Sequence, residues 1–175
     1  VQTGIRYLKS STVLPLIQTT PKPQRMKVVV VGPTSCGKSS FLHRLNKKSF
    51  VPSPTLGVDT VQIDYTQNQT DYKLTFFDTS GDPIYREVRT EFYNDLSLLI
   101  VCFDLSSKQS YLETSSFIDE FQQCGDAVTL LVGCKSDIQK VTDAEINVLT
   151  NRIRAKSLKT GINDKPNDIE SITQV

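Results

Sequence analysis

Apolar and polar positions along this chain follow two alternating periods. Met26-Lys27-Val28-Val29-Val30-Val31 is a near-continuous apolar run and predicts a buried strand. Phe41, Leu42 and Leu45 follow at helical spacing and predict a helix over 38–47. Strands are expected at 58–65 and 72–77, joined as a hairpin through the polar turn Gln67-Asn68-Gln69-Thr70. Leu98 to Phe103 is apolar throughout, as a strand covered on both faces requires. Tyr111, Phe117 and Phe121 mark a helix over 110–123, and Val128 to Val132 the next strand. Ile146, Leu149 and Ile153 mark a last helix over 143–154, with Thr142 placed to cap it. Strands separated by helices predict an α/β fold: a mostly parallel sheet, helices on both faces, and one antiparallel edge strand from the hairpin. Residues 1–25 are rich in Ser, Thr, Gln and Pro and read as a flexible leader, leaving 26–175 as the folded domain.

Composition narrows this picture mainly by exclusion. The 175 residues suit one domain, and a net charge of +1 supplies no field that selects nucleic acid or an acidic membrane. No apolar run approaches the roughly 20 residues that span a bilayer. Cys36, Cys102, Cys124 and Cys134 show neither C-x-x-C pairing nor metal spacing, so reduced thiols in a cytoplasmic or nuclear protein are expected. Cys102, inside an apolar run, reads as a core residue. His43 is the only histidine and has no ligand cluster around it, so it reads as a boundary residue of the first helix.

The candidate chemistry begins where the first strand ends. Gly32-Pro33-Thr34-Ser35-Cys36-Gly37-Lys38-Ser39 fits the phosphate-binding P-loop pattern G-x-x-x-x-G-K-S/T, between a predicted strand and a predicted helix. Free backbone N–H groups at a helix start, continuing through Ser40, cradle phosphate oxygens. Gly32 and Gly37 let the backbone curl without a Cβ in the way. Lys38 supplies a charge to the terminal phosphates, and the Ser39 hydroxyl suits Mg²⁺.

Further elements in order refine the site. Asp78, closing the strand at 72–77, is placed to hold the Mg²⁺ shell, and Gly81 to bring an amide near a terminal phosphate. Thr55, between the first helix and second strand, offers a hydroxyl to the same ion. After the strand at 128–132, the Asp137 carboxylate can accept two N–H bonds from a guanine edge, with the Lys135 stem laid over the base. Phe50 is placed to stack edge-on against that base.

With these residues in place, the chain resembles the Ras-like small GTPases over about residues 26–140. Pro54-Thr55-Leu56-Gly57-Val58-Asp59 is similar to the Rab switch I signature. Ser80 to Asp95, with Glu87-Val88-Arg89-Thr90-Glu91-Phe92-Tyr93, resembles switch II of the Rab-like J-domain GTPases (RBJ), although no H-P-D tripeptide of a J-domain is present. The resemblance implies a Ras-like G domain of P-loop NTPase type, GTP/GDP and Mg²⁺ as ligands, and catalytic parts at Lys38, Thr55 and Asp82. It also implies effector or regulator proteins docking on the switch loops, with Tyr85, Phe92 and Tyr93 as aromatic candidates. Phe92 is expected in the core and Tyr85 on the surface.

The departures from the family pattern carry consequences. Asp82 stands where most members have the Gln that orients the attacking water, and Thr34 where many have Gly, so slow hydrolysis is expected. Cys134 replaces the Asn of the N-K-x-D base motif, which implies weaker nucleotide affinity. Ser157-Leu158-Lys159 is the one candidate for the S-A-K base loop. It follows Asp137 too soon to leave room for the usual sixth strand, so the C-terminal part is expected to be incomplete. No prenylation or myristoylation motif is present, so no lipid anchor is expected, and membrane association only peripherally. A monomeric guanine-nucleotide switch acting in membrane traffic leads. A pseudo-GTPase interaction module with weak or no nucleotide binding remains open. An ATP-using kinase is disfavoured by Asp137 and by the lack of an Arg-rich lid.

Overall fold

The computed structural model describes residues 22–47 and 53–161, which build one six-stranded sheet flanked by helices. Strand β1 (Gln24–Val31) lies inside it, and Val28 to Val31 are wholly buried. Val28 and Val30 pack towards helix α1 (Lys38–Leu45) through Phe41, Leu42 and Leu45. Val29 and Val31 face Phe117 and Phe121 of α3 (Lys108–Gln122) and Ile146 and Leu149 of α4 (Asp143–Ile153). Two apolar layers on opposite faces explain why this run carries no polar alternation. Among the described residues no helix is long and apolar enough to cross a membrane.

The hairpin forms as expected. Strands β2 (Val58–Gln67) and β3 (Thr70–Thr79) pair antiparallel, with Val58 opposite Thr79 and Gln67 opposite Thr70. Asn68 and Gln69 take positive φ values of 49° and 63°. Two left-handed residues match the turn that twisted hairpins favour.

The sheet order is β2-β3-β1-β4-β5-β6, with β4 (Leu98–Asp104), β5 (Val128–Cys134) and β6 (Lys156–Thr160), and every other pairing is parallel. β1 has β3 on one side and β4 on the other, so the winding reverses beside it. The crevice at the carboxyl ends of strands at such a reversal is where open α/β sheets bind ligands. The loops after β1, β3, β4 and β5 all open there.

Strand β6 overturns one expectation: there is room for a sixth strand. Helix α4 has 11 residues and β6 has 5. At about 1.5 Å and about 3.3 Å per residue, both cover about 16 Å, so the crossover closes on itself. Arg154 makes the turn in the left-handed region, with φ 54°, and the Ala155 amide donates to the Thr150 carbonyl. Thr142 caps α4 in a full capping box with Glu145. Gln24 and Arg25, read as the end of the leader, are part of β1 and pair with Tyr72 and Lys73 of β3. The rest of that leader through residue 21, Phe50, and the tail from residue 162 lie outside the described residues.

Candidate functional site

The loop after β1 is bent by its own residues. Gly32 has φ 142°, and a Cβ there would lie 2.1 Å from the Cys102 carbonyl oxygen of β4. Gly37 has φ 112° and stands at the N-cap of α1, with no side chain capping the helix. The first amides of α1, at Lys38, Ser39 and Ser40, therefore face the crevice without an internal acceptor, an anion-binding arrangement. Between them the exposed residues Thr34 and Ser35 form the outer rim, Ser35 in the left-handed region at φ 62°.

Lys38 is nearly buried and donates through Nζ to the carbonyls of Gly32 and Pro33, each at 2.9 Å. The ammonium is thus held across the mouth of the loop. Cys36 turns the other way: its side chain is buried against β4, where Sγ lies 3.5 Å from the Cys102 carbonyl. Burial pushes the Cys36 thiol up to about 12, so it carries no charge to offset that of Lys38. Only the Cys36 backbone is available to a ligand.

Ser39, Thr55 and Asp78 converge. Ser39 Oγ and Thr55 Oγ1 lie 3.1 Å apart. Asp78 is 3% exposed, and its Oδ1 has no hydrogen-bond partner among the described residues. Burial raises the Asp78 carboxyl above its usual range, while the Ser39 hydrogen bond and Lys38 act against this. A buried carboxylate oxygen with no donor, beside two hydroxyls, is an all-oxygen set that a hard divalent cation satisfies. The residues present therefore fit Mg²⁺. A cavity of about 570 Å³ opens above them, bounded by Thr34, Lys38, Thr55, Gly81, Asp82 and Lys135. That volume suits a small-molecule ligand.

Gly81 is pressed against the loop: a Cβ would meet the Thr34 nitrogen at 2.4 Å and the Gly32 carbonyl oxygen at 2.5 Å. Asp82 does not point into the cavity as a free carboxylate. Its Oδ1 accepts from the Ile84 amide at 3.0 Å and caps the short turn Pro83–Tyr85 that leads into α2 (Arg86–Thr90).

The second half of the site stands on the loops after β5 and β6. Lys135, in the left-handed region at φ 60°, reaches back with Nζ to the Ser35 carbonyl at 3.1 Å and to Asp104 Oδ2 at 2.5 Å. Its stem thus bridges the base loop and the phosphate loop. Burial works against the Asp104 carboxylate, but hydrogen bonds from Lys135 and Ser106 more than offset it and hold its pKa low. Cys134 is buried, and a Cβ on Gly37 would sit 3.0 Å from its Cβ. The same Cβ would lie 3.2 Å from Cys134 Sγ, so the thiol stands against the phosphate loop. Asp137 is exposed, in the short turn Ser136–Ile138.

The assignment of Ser157, Leu158 and Lys159 to a base-contacting loop is corrected by the structure. All three lie inside β6, Leu158 packs on the core cluster under α1, and Lys159 Nζ bonds Asp143 Oδ1 at 2.9 Å. The residue that reaches the base loop is Gly161: a Cβ there would lie 2.5 Å from Ser136 Oγ and 3.2 Å from Asp137 Oδ1. Arg44 of α1 donates to the Gly161 carbonyl and to Thr160 Oγ1, tying this corner to the phosphate side. Tyr93 is a second correction, being buried rather than part of a docking surface, because its hydroxyl donates to buried Glu120 at 2.7 Å. Phe92 stacks on Phe77 in the core periphery, Tyr85 is half-buried, and among the described residues of the two switch segments the exposed large apolar ones are Leu56, Ile84 and Val88.

The chain is similar in sequence to known proteins. A family model, that of the Ras family, matches residues 27–171. Rho-related GTP-binding protein RhoE of Homo sapiens is 34% identical over 147 residues, covering 79% of this chain and 58% of that protein. Ras-related protein RabQ of Dictyostelium discoideum is 30% identical over 138 residues, 77% of this chain and 65% of that protein. DnaJ homolog subfamily C member 27-B of Xenopus laevis is 34% identical over 104 residues, 58% of this chain and 38% of that protein. The chain thus spans less than two thirds of the length of each of these relatives.

Proposed function

The chain belongs to the Ras family, and on that premise we propose that it is a Rab-like guanine-nucleotide switch that binds GTP and GDP with Mg²⁺ and hydrolyses GTP slowly. One observation carries most weight: the donor-less Asp78 oxygen beside Ser39 and Thr55, at the foot of an uncapped helix N-terminus. Lys38 and the amides of 37–40 bind the phosphates, and Ser39, Thr55 and Asp78 hold the cation. When bound there, Mg²⁺ neutralises charge that builds up between the terminal phosphates. Asp137 and Lys135 select and cover the base. Thr55 and Gly81 give the two switch loops a reason to order around a third phosphate, presenting Leu56, Ile84 and Val88 to an effector protein.

Competition against a fluorescent guanine nucleotide tests this. GTP and GDP should displace it in Mg²⁺, and ATP should not at hundredfold higher concentration, a ratio on the order expected of a site that reads a hydrogen-bonding edge. Equal displacement by ATP overturns guanine selectivity. Absence of binding by all of them favours the pseudo-GTPase alternative, towards which Cys134 points, since packing against Gly37 replaces a two-way hydrogen bond.

The slow rate has its own test. The Asp82 carboxylate is engaged as a cap and repelled by an anionic terminal phosphate, and Thr34 stands at the same rim. Gln is a poor N-cap, so Asp82→Gln releases the side chain to orient water as an amide donor and acceptor. Single-turnover phosphate release should rise about tenfold in the variant. A wild-type rate above that of the variant identifies Asp82 as a working catalytic group instead.

A further inference from the structure

A buried ion pair lies behind the switch loop that follows β3 and ties Arg89 of that segment to α3. Arg89 of α2 is 3% exposed and Glu120 of α3 is 5% exposed. Arg89 Nε donates to Glu120 Oε1 at 2.8 Å and Nη2 to Oε2 at 2.9 Å, a two-bond fork. Tyr93 donates to the same carboxylate, Arg86 lies 3.3 Å from it, and the guanidinium sits over the Phe117 ring at 4.9 Å. Desolvating two charges opposes folding, so such a pair is not explained by stability alone.

Its remaining donor shows what the pair holds. Arg89 Nη1 donates to the Ser80 carbonyl at 2.9 Å and to the Asp82 carbonyl at 3.4 Å. These carbonyls flank Gly81. The Ser80 carbonyl and the Gly81 N–H belong to one trans peptide plane, and in such a plane they point in opposite directions. Fixing the carbonyl on Arg89 therefore aims the Gly81 N–H away from α3. Asp82 is followed by Pro83, which has no N–H to compete. Gly81 itself abuts the backbone of Gly32, Pro33 and Thr34, so the aimed amide stands at the phosphate loop. A guanidinium fork is planar and rigid, so the position of the carbonyls follows the position of Glu120.

We propose that Arg89, clamped by Glu120, is a positioning residue that holds the Gly81 amide ready for a third phosphate and so sets how well the site tells nucleoside triphosphate from diphosphate. It rests on the guanine-nucleotide function proposed above. With a diphosphate held by Lys38 and the amides of 37–40 as proposed, Gly81 across the cavity is left for the terminal phosphate, so loosening it weakens the triphosphate complex and spares the diphosphate complex.

Release of fluorescent GDP and of a fluorescent non-hydrolysable GTP analogue, in Mg²⁺, tests the assignment on the full chain. Arg89→Gln, Arg89→Lys and Glu120→Gln should speed release of the triphosphate analogue at least fivefold and change GDP release less than twofold. Arg89→Lys belongs with the others because an ammonium cannot hold both carboxylate oxygens and the Ser80 carbonyl in a plane. Leu149→Ala, a core change on α4, serves as the control for general destabilisation and should not alter the ratio. Equal acceleration of both nucleotides, or none, in the three variants overturns the proposal. Glu120→Gln is isosteric and guards against loss of fold in the arginine variants. If wild-type protein binds neither nucleotide, the functional proposal fails, and amide exchange decides the clamp: the 80–85 segment should exchange faster in Glu120→Gln, and unchanged exchange overturns it.

Discussion

Replacing Lys38 by alanine should lower affinity for GTP at least about a hundredfold while the protein still melts cooperatively. The side chain lies between the loop and the cavity, bonded only to the Gly32 and Pro33 carbonyls and adjoining Cys36 Sγ. It takes no part in either apolar cluster. Its removal takes this ammonium from the loop mouth and a donor from the buried Gly32 and Pro33 carbonyls. Each charge-assisted hydrogen bond to a phosphate oxygen contributes on the order of 1.5–3 kcal/mol, so losing two amounts to about a hundredfold or more. Ser39→Asn should act in the same direction through the cation, and its effect should fade when Mg²⁺ is withheld from both proteins. Calorimetric titration with GTP, beside a thermal melt, checks both. Unchanged affinity in both variants would place the phosphates elsewhere.

The phosphate half of this site was legible because local chemistry dictates it. A loop that wraps an anion needs glycine at fixed offsets, a strand to deliver it and a helix to start from it, and all three write themselves into contiguous residues. Burial of Val28 to Val31 on two faces follows from the same contiguity. The base half was harder. β6 is an edge strand with a solvated face, so only Leu158 and Thr160 alternate inward and the pattern is thin. A pattern this thin reads as a loop at Ser157-Leu158-Lys159, whereas the residue that abuts the base loop is Gly161, just past the strand. The direction of Asp82 was readable in principle, since Asp followed by Pro is a helix-start signal.

The Arg89–Glu120 pair left no trace in the pattern. Its members are 31 residues apart, each is the kind of residue that usually marks a solvated helix face, and only the tertiary packing of α2 on α3 brings them together. Tyr93 hides for the same reason: its hydroxyl gives it the look of a surface aromatic, and only the fold supplies Glu120 as the buried acceptor. Hydrophobic period reports which face of an element is apolar, and it is silent on polar groups that satisfy each other inside.

Asp137→Asn should turn the base preference from guanine towards xanthine, changing the ratio of GTP to XTP affinity by about 10² to 10⁴. Guanine presents two adjacent donors, its ring N–H and its exocyclic amine, and a carboxylate accepts from both. Xanthine keeps the ring N–H but carries a carbonyl in place of the amine. The asparagine side chain has one acceptor and one donor group, so it matches xanthine and leaves one guanine donor facing another donor. Each mismatch costs about ten- to hundredfold, and the two nucleotides move in opposite directions. The fold should tolerate the change, because Asp137 is exposed in a short turn whose shape is set by Lys135 and whose back is braced by Gly161. Lys135 stays bonded to Ser35 and Asp104, so the base cover is retained. Parallel titrations with GTP and XTP in Mg²⁺ read the ratio directly. Should both affinities fall together with the ratio unchanged, Asp137 would be bracing the loop rather than reading the base.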